Sequence, residues 1–301
     1  MNIDQVKQNQ KDNYRLWLAA IKLPIYSVAI IPISAGTAVA FADTNRFNLL
    51  TYLTFAISAI LIIAWLNLSN DVFDATTGID INKAHSVVNL TGKRSLIFWL
   101  SNLCLLAGFV GVALISWWQQ DWMVLLLILL CSALGYTYQG PPFRLGYLGL
   151  GEIICFFTFG PGAVSAAYYA QTQSFSKSCL AVSFLIGIGT SIILFCSHFH
   201  QVDDDLAAGK KSPIVRLGSA RGAIALRFLV ISLYLSIVLF SLFGLLSFQN
   251  LIALASIPIA LKLVNHVSIF HNQPEKVSSS KFMAVNLYLV SSLLLIASLV
   301  S

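Results

Sequence analysis

The chain has 301 residues, of which 57% are hydrophobic and only 10% are charged, with a formal net charge of +6. This composition excludes an ordinary soluble globular domain and predicts an integral membrane protein whose partner is the lipid bilayer. The positive charges show no repeated basic and aromatic pattern, so we expect no nucleic-acid partner.

Residues 1–15 are polar and lack the apolar core of a cleavable signal peptide. They predict a short cytosolic N-terminal arm ahead of a single transmembrane domain over residues 16–301. Eight uncharged windows follow, each long enough to span a bilayer: 23–42, 47–70, 95–120, 122–143, 153–176, 178–202, 228–261 and 282–301. The window 228–261 is too long for one span, and Gly244 offers a turn inside it. The fold class is therefore predicted to be an all-α bundle of about nine transmembrane helices.

The lysines and arginines are concentrated in the loops on one side of this bundle. The loops on the other side hold only Arg46 and Lys177. Because positive charge stays on the cytoplasmic side of a membrane, the amino terminus is expected to face the cytoplasm or a stroma. The five cysteines all lie inside the windows and form no CxxC pair, so they are expected to be buried free thiols.

The second window ends in an acidic segment, "NLSNDVFDATTGID", at residues 67–80. On a helix, Asn67, Asp71 and Asp74 fall on one face. Asp80 closes the segment, and Lys83 follows it. Acids at the mouth of a membrane helix are costly, which indicates a functional role.

A similar segment, "CSHFHQVDDDLAAGKKSPIVRLG", begins at Cys196, in the window that ends on the same side of the bundle. His198, Gln201 and Asp205 repeat the helical spacing of the first segment, and Lys210 and Lys211 follow. The two segments together predict an Asp-rich cavity at the cytosolic face.

Crowded carboxylates raise one another's pKa unless a cation neutralises them. Oxygen ligands without a cysteine or histidine pair suit Mg²⁺, which also binds phosphate. Acids, metal and basic residues together predict a diphosphate site. The alternative is that these acids are solvated residues at helix ends. Asn67 and His198 favour the site, because they extend both polar stripes into the membrane.

A third polar stretch, "GYTYQGPPFRLGYLGLGEI", covers residues 135–153. Its two prolines force an extended turn, from which Tyr138 and Arg144 could reach the same face. The alternative for Tyr138 is an ordinary position in the aromatic belt of the membrane interface. Glu152, just inside the next window, is expected to pair with a basic group.

Together these three stretches resemble the UbiA superfamily of intramembrane prenyltransferases. The resemblance implies a nine-helix bundle in which two aspartate-rich motifs bind a prenyl diphosphate through Mg²⁺. Asp71, Asp74 and Asp205 are then metal ligands. Asp80, His198 and His200 are further catalytic candidates, any of which could be the general base. The implied diphosphate contacts are Asn67, Lys83, Tyr138, Arg144, Lys210 and Lys211.

The segments "GLGEI", "FGPGAVSAAYY" and "AGKKSPIVRLG" are similar to the naphthoate branch of this family, which serves menaquinone and phylloquinone synthesis. Gln201 departs from the usual DxxxD form of the second motif, so Asp204 or Asp203 is expected to replace the missing ligand. The histidines of "HFHQVDDD" resemble the cyanobacterial and plastid form, which uses a phytyl donor and resides in a bacterial inner or thylakoid membrane.

The resemblance implies phytyl transfer from phytyl diphosphate to 1,4-dihydroxy-2-naphthoate or its quinone form, with loss of CO₂ and diphosphate. Homogentisate, chlorophyllide and 4-hydroxybenzoate remain alternative acceptors. A membrane transporter is the competing class of function. A transporter would place polar residues near the bilayer midplane, whereas here they cluster at one face. The redox state of the acceptor, the chain length of the donor and the oligomeric state stay open.

Overall fold

The structure is a computed structural model, and it describes residues 23–77 and 86–301. The predicted arm at residues 1–15 and the site candidates Asp80 and Lys83 lie outside these ranges. The described residues form helices, turns and loops without a strand. The prediction of an all-α fold is therefore confirmed for them.

The described part of the chain contains nine main helices. They are α1 (Leu23–Thr44), α2 (Leu49–Thr77), α3 (Arg94–Gln119), α4 (Met123–Gln139), α5 (Gly151–Thr172), α6 (Lys177–His200), α7 (Ser219–Leu242), α8 (Phe248–Phe270) and α9 (Pro274–Val300). Eight of them are long and apolar enough to cross a membrane, and α4, with 17 residues, is the shorter one. The protein is an integral membrane protein by the length and composition of these helices.

The predicted break inside window 228–261 lies between α7 and α8. Gly244 has a φ of +68°, a left-handed conformation that glycine adopts without steric cost. The window 122–143, by contrast, overestimates α4, which ends at Gln139. The following segment contains Pro141 and Pro142, and proline cannot continue the hydrogen-bond ladder of a helix.

Helix α6 is the most buried of the candidate spans, and it packs against α1, α5, α7 and α9. Gly36 of α1 lies so close to α5 that an added Cβ would be 2.3 Å from the carbonyl oxygen of Val164. The outer faces carry large apolar side chains such as Trp99, Leu103 and Leu106 of α3, which are more than half exposed. This pattern is typical of a lipid-facing surface.

Helix α5 is irregular in its middle. Residues Thr158–Gly162 form a π-type turn that contains Pro161. Gly160 in this turn lies against the backbone of Gly187 in α6. The five cysteines are free; Cys179 and Cys196 are buried and the other three are partly buried.

The helix ends carry the polar contacts of the molecule. The carboxyl ends of α2, α4 and α6 meet the beginning of α5 at one end of the bundle. At the opposite end, Tyr168 of α5 donates a hydrogen bond to Asp43 of α1, and Asn48 contacts Gln171. The two acidic segments therefore lie at the same end. This agrees with the prediction that the two windows carrying them, an even number of spans apart, end on the same side of the membrane.

Candidate functional site

The first acidic segment lies in the last two turns of α2, where Asp71 and Asp74 are both buried. Carboxylates near a helix carboxyl end face the negative end of the helix dipole, so this position is unfavourable for stability. Asp71 Oδ2 accepts a hydrogen bond of 2.9 Å from the backbone N–H of Val87. Asp74 Oδ1 accepts one of 2.6 Å from Nε2 of Gln139.

Gln139 is a site residue that the sequence analysis missed. It is buried at the carboxyl end of α4, and its Oε1 has no hydrogen-bond partner in the described part of the chain. Its position between Tyr138 and the glycine before two prolines was the available signal, because a polar residue closing an apolar helix marks the polar end of the bundle. An unpaired buried carbonyl oxygen is an available ligand for a cation.

The second acidic segment surrounds Asp205. Helix α6 ends in a 3₁₀ turn, His198–His200, and a short helix, Val202–Ala207, follows. Gly209, with a φ of +70°, reverses the chain so that Lys210 returns towards Asp205. Lys210 Nζ lies 3.1 Å from Asp205 Oδ1, and the Lys210 backbone N–H donates to the Asp205 carbonyl oxygen at 2.7 Å.

The charges around Asp205 determine its protonation. Burial alone would raise the pKa of this carboxyl, but its contact with His198 and the charge of Lys210 hold the pKa below its ordinary value. His198 Nδ1 lies 3.3 Å from Asp205 Oδ2. Asp205 is therefore a carboxylate at neutral pH, and a negative charge is available for a cation.

His198 also contacts Glu152, the second residue of α5. The distance from His198 Nε2 to Glu152 Oε1 is 3.4 Å. The sequence analysis expected Glu152 to pair with a basic group, and this expectation is confirmed. It did not include Glu152 among the site residues, because the partner lies 46 positions away along the chain.

The loop between α4 and α5, residues 140–150, is called the central loop, and it packs over this group of residues. The Tyr138 ring covers Gly146 and Gly151, where an added Cβ would be 2.6 Å from Tyr138 Cε2. Tyr138 lies within the electrostatic influence of Asp74, Glu152 and Asp205. The structure therefore places it beside the acids rather than in an aromatic belt alone.

Tyr147 is a second residue that the sequence analysis missed. Its hydroxyl is 2.9 Å from Thr77 Oγ1 at the end of α2, and its carbonyl oxygen accepts a hydrogen bond from the Lys211 backbone N–H. Arg216 donates hydrogen bonds to the carbonyl oxygens of Leu148 and Lys211. These contacts hold the central loop and the second acidic segment together.

The remaining predicted residues occupy different environments. Arg144 and His200 are half-buried, and Arg144 Nε has no hydrogen-bond partner among the described residues. Asn67 is half-buried, and its Nδ2 is likewise unpartnered there. Lys211, Asp203 and Asp204 are exposed, so Asp204 differs from the buried Asp205 beside it. The metal role of Asp204 and the open Asp-rich cavity stay predictions.

The donor chemistry fits a hard cation. Asp71, Asp74 and Asp205 supply carboxylate oxygens, and Gln139 supplies an unpaired amide oxygen. Within residues 23–77 and 86–301, no three side chains of the His, Cys, Asp and Glu types lie together as a metal-binding group. Oxygen donors of these types suit Mg²⁺, which keeps several water ligands and binds phosphate at the same time.

The chain matches the UbiA prenyltransferase family over residues 29–291. It is 58% identical over 283 residues to 2-carboxy-1,4-naphthoquinone phytyltransferase of Synechocystis sp., covering 94% of this chain and 92% of that protein. It is 42% identical over 277 residues to the chloroplastic enzyme of the same name from Arabidopsis thaliana, covering 89% and 72%.

Solved structures agree with the fold. A UbiA homolog from Aeropyrum pernix has a TM-score of 0.70 at 14% identity and covers 89% of this chain and 97% of that chain. A UbiA homolog from Archaeoglobus fulgidus, bound to GPP and Mg²⁺, has a TM-score of 0.61 at 14% identity and covers 93% and 99%.

Proposed function

The chain belongs to the UbiA prenyltransferase family, and from this we propose that it transfers a phytyl chain from phytyl diphosphate to 1,4-dihydroxy-2-naphthoate or its quinone form. Carbon dioxide and diphosphate leave in the reaction. The observation that carries this proposal is the high identity to the Synechocystis phytyltransferase along nearly the whole of both chains. The product would serve phylloquinone or menaquinone biosynthesis.

The acidic residues of the site are proposed to bind the donor through metal. Asp71, Asp74 and Asp205 would hold Mg²⁺, with Gln139 supporting Asp74. When bound, Mg²⁺ neutralises negative charge that develops on the departing diphosphate. Without Mg²⁺, the ammonium of Lys210 neutralises Asp205. When the Asp205 carboxylate binds Mg²⁺ instead, the Lys210 ammonium becomes available to phosphate.

The basic residues are proposed to bind the diphosphate directly. Arg144 has a buried guanidinium nitrogen without a described acceptor, and an anionic oxygen would supply one. Lys211 is exposed beside the buried Lys210. Donors that face the leaving group lower the barrier to its departure because they stabilise charge in the transition state.

The aromatic acceptor is proposed to react on the inner side of this site. Its electron-rich ring forms a carbon–carbon bond to the allylic carbon of the donor at the position that carries the carboxylate. The electron pair of the bond to the carboxyl carbon then restores aromaticity as carbon dioxide leaves. Tyr138 is placed beside the acids, and its ring face suits an allylic cation.

Identification of the product tests the proposal. Purified protein in detergent is incubated with Mg²⁺, phytyl diphosphate and either 1,4-dihydroxy-2-naphthoate or homogentisate, and the products are identified by mass spectrometry. We expect a decarboxylated phytyl-naphthoquinol, little product from homogentisate, and partial use of geranylgeranyl diphosphate. Faster prenylation of homogentisate would overturn the acceptor assignment but leave the family intact.

The membrane and its orientation belong to the same proposal. We place the acidic end of the bundle at the cytoplasmic or stromal side of a bacterial inner or thylakoid membrane. The support is the distribution of lysine and arginine, which leaves only Arg46 and Lys177 in the loops of the opposite side.

A further inference from the structure

Glu152 is a partly buried acid that the proposed metal and diphosphate contacts do not use. Both of its carboxylate oxygens are excluded from solvent, and neither accepts a hydrogen bond from another residue in the described part of the chain. His198 Nε2 is 3.4 Å from Oε1, a contact at ion-pair distance that lacks hydrogen-bond geometry. A buried carboxylate without donors is costly, so this arrangement indicates that a donor is missing.

The position of Glu152 joins it to the site. Gly151, directly before it, lies under the Tyr138 ring. His198 contacts its carboxylate directly, and Lys210 and Asp205 lie close enough for their charges to act on it. Glu152 therefore lies on the α5 side of the site, across His198 from Asp205.

We propose that Glu152 accepts a hydrogen bond from a hydroxyl group of the aromatic acceptor. This inference rests on the proposed function, because it assigns a residue to the acceptor named there. In 1,4-dihydroxy-2-naphthoate, the hydroxyl next to the carboxylate can donate to that carboxylate within the molecule. The distal hydroxyl has no such internal partner and needs an acceptor from the protein.

The charge of Glu152 also fixes which end of the acceptor it meets. Two carboxylates repel each other, so the acceptor turns its own carboxylate away from Glu152 and its distal hydroxyl towards it. The unpaired donor of Arg144 is assigned above to the diphosphate, so the orientation of the acceptor rests on the charge of Glu152.

A binding experiment with two acceptors and four proteins tests this. The full chain in detergent with Mg²⁺ is titrated calorimetrically with 1,4-dihydroxy-2-naphthoate and with 1-hydroxy-2-naphthoate, which lacks only the distal hydroxyl. Wild type should prefer the dihydroxy compound by about 10- to 100-fold, the range for hydrogen bonds to charged groups. Glu152→Leu should bind both compounds equally. Glu275→Leu, a change at an exposed acid on α9, should keep the wild-type preference.

Glu152→Gln separates a direct contact from a structural role. Its amide can still accept a hydrogen bond but carries no charge, so the preference should fall to an intermediate value while the melting temperature stays near that of wild type. This variant carries the test if Glu152→Leu does not fold.

The outcomes distinguish the two proposals. Wild type that binds neither naphthoate would overturn the proposed function. Wild type that binds both while Glu152→Leu and Glu152→Gln keep the full preference for the distal hydroxyl would overturn only the role of Glu152. An equal loss of affinity for both acceptors in the variants would also overturn it, because that result indicates a structural residue.

Discussion

Lys210 and Asp205 form an ion pair inside the protein, with Nζ of Lys210 3.1 Å from Oδ1 of Asp205 and side-chain exposures of 7% and 1%. The adjacent Lys211 is exposed. Two neighbouring lysines of the same sequence motif therefore have different physical roles, and they form a matched pair for mutagenesis.

Lys210→Gln should destabilise the protein by about 3–5 kcal/mol, because it leaves a buried carboxylate without its cation. Lys211→Gln should change the free energy of unfolding by less than about 0.5 kcal/mol, as expected for an exposed side chain. Chemical denaturation in detergent micelles measures both. Equal destabilisation by the two changes would contradict the assignment of Lys210 as the buried partner.

Asp71→Asn should lower turnover by about 10²–10³-fold without unfolding the protein, because it removes a proposed metal ligand that stabilises the leaving group. The control is Glu275→Gln, which changes an exposed acid on α9 and should retain activity. EDTA should abolish wild-type activity, and added Mg²⁺ should restore it. Full activity in folded Asp71→Asn protein would remove Asp71 from the metal site.

Gln139→Leu should weaken Mg²⁺ affinity by about 10–100-fold, the usual effect of losing a group that orients a metal ligand. The change removes the 2.6 Å hydrogen bond to Asp74 Oδ1 and the unpaired amide oxygen. Gln171→Leu, at the opposite end of the bundle, is the control and should leave the metal dependence unchanged. Titration of activity with Mg²⁺ measures the difference.

Single cysteines at Arg46 and Lys211, both exposed, should react with an impermeant maleimide from opposite sides of the membrane. The background protein lacks the five native cysteines. Vesicles of known orientation provide the measurement. Labelling of both positions from one side would show that the acidic end of the bundle and the Arg46 loop do not face opposite compartments.

Asp121 should make stability depend on pH at the end of the bundle opposite the site. Hydrogen bonds from the Tyr169 hydroxyl and from the Met123 backbone N–H lower the pKa of Asp121. A lowered pKa stabilises the fold above the ordinary pKa of an aspartate, and this stabilisation is lost as the pH falls through the lowered value. The melting temperature of wild type should therefore exceed that of Asp121→Asn at pH 7, and the gap should close in acid.

An equal gap for the Asp121 variant at neutral and acidic pH would indicate that the carboxylate charge is not involved.

The sequence predicts the helices well where hydropathy decides the structure. Long uncharged windows must satisfy their backbone hydrogen bonds internally in a bilayer, so they become helices. Gly244 marks the break between α7 and α8 because its backbone is left-handed. The parity of the windows likewise places Asp74 and Asp205 at the same end of the bundle. These features depend on local composition and on the number of spans between two segments of the chain.

The partners within the site are less predictable, because they depend on contacts between distant parts of the chain. Gln139 reaches Asp74 across 65 positions, and no local pattern indicates that pair. The choice of Lys210 over Lys211 as the buried lysine depends on the turn at Gly209 and on the hydrogen bond from the Lys211 backbone to Tyr147. Tertiary packing decides both.

The π-type turn at Thr158–Gly162 divides α5 into two halves with separate angular registers. The first half directs Glu152 towards His198, and the second half directs Tyr168 and Tyr169 towards Asp43 and Asp121. A π-type turn has i→i+5 hydrogen bonds and holds more residues than an α-helical turn, so it shifts the angular position of every side chain after it. Deleting one residue within the turn would rotate one half against the other by about 100°, the angle per residue of an α-helix. The length of this turn therefore sets the rotation of the two halves of α5 against each other. An insertion or deletion there would prevent the two polar ends of the helix from facing their partners at the same time.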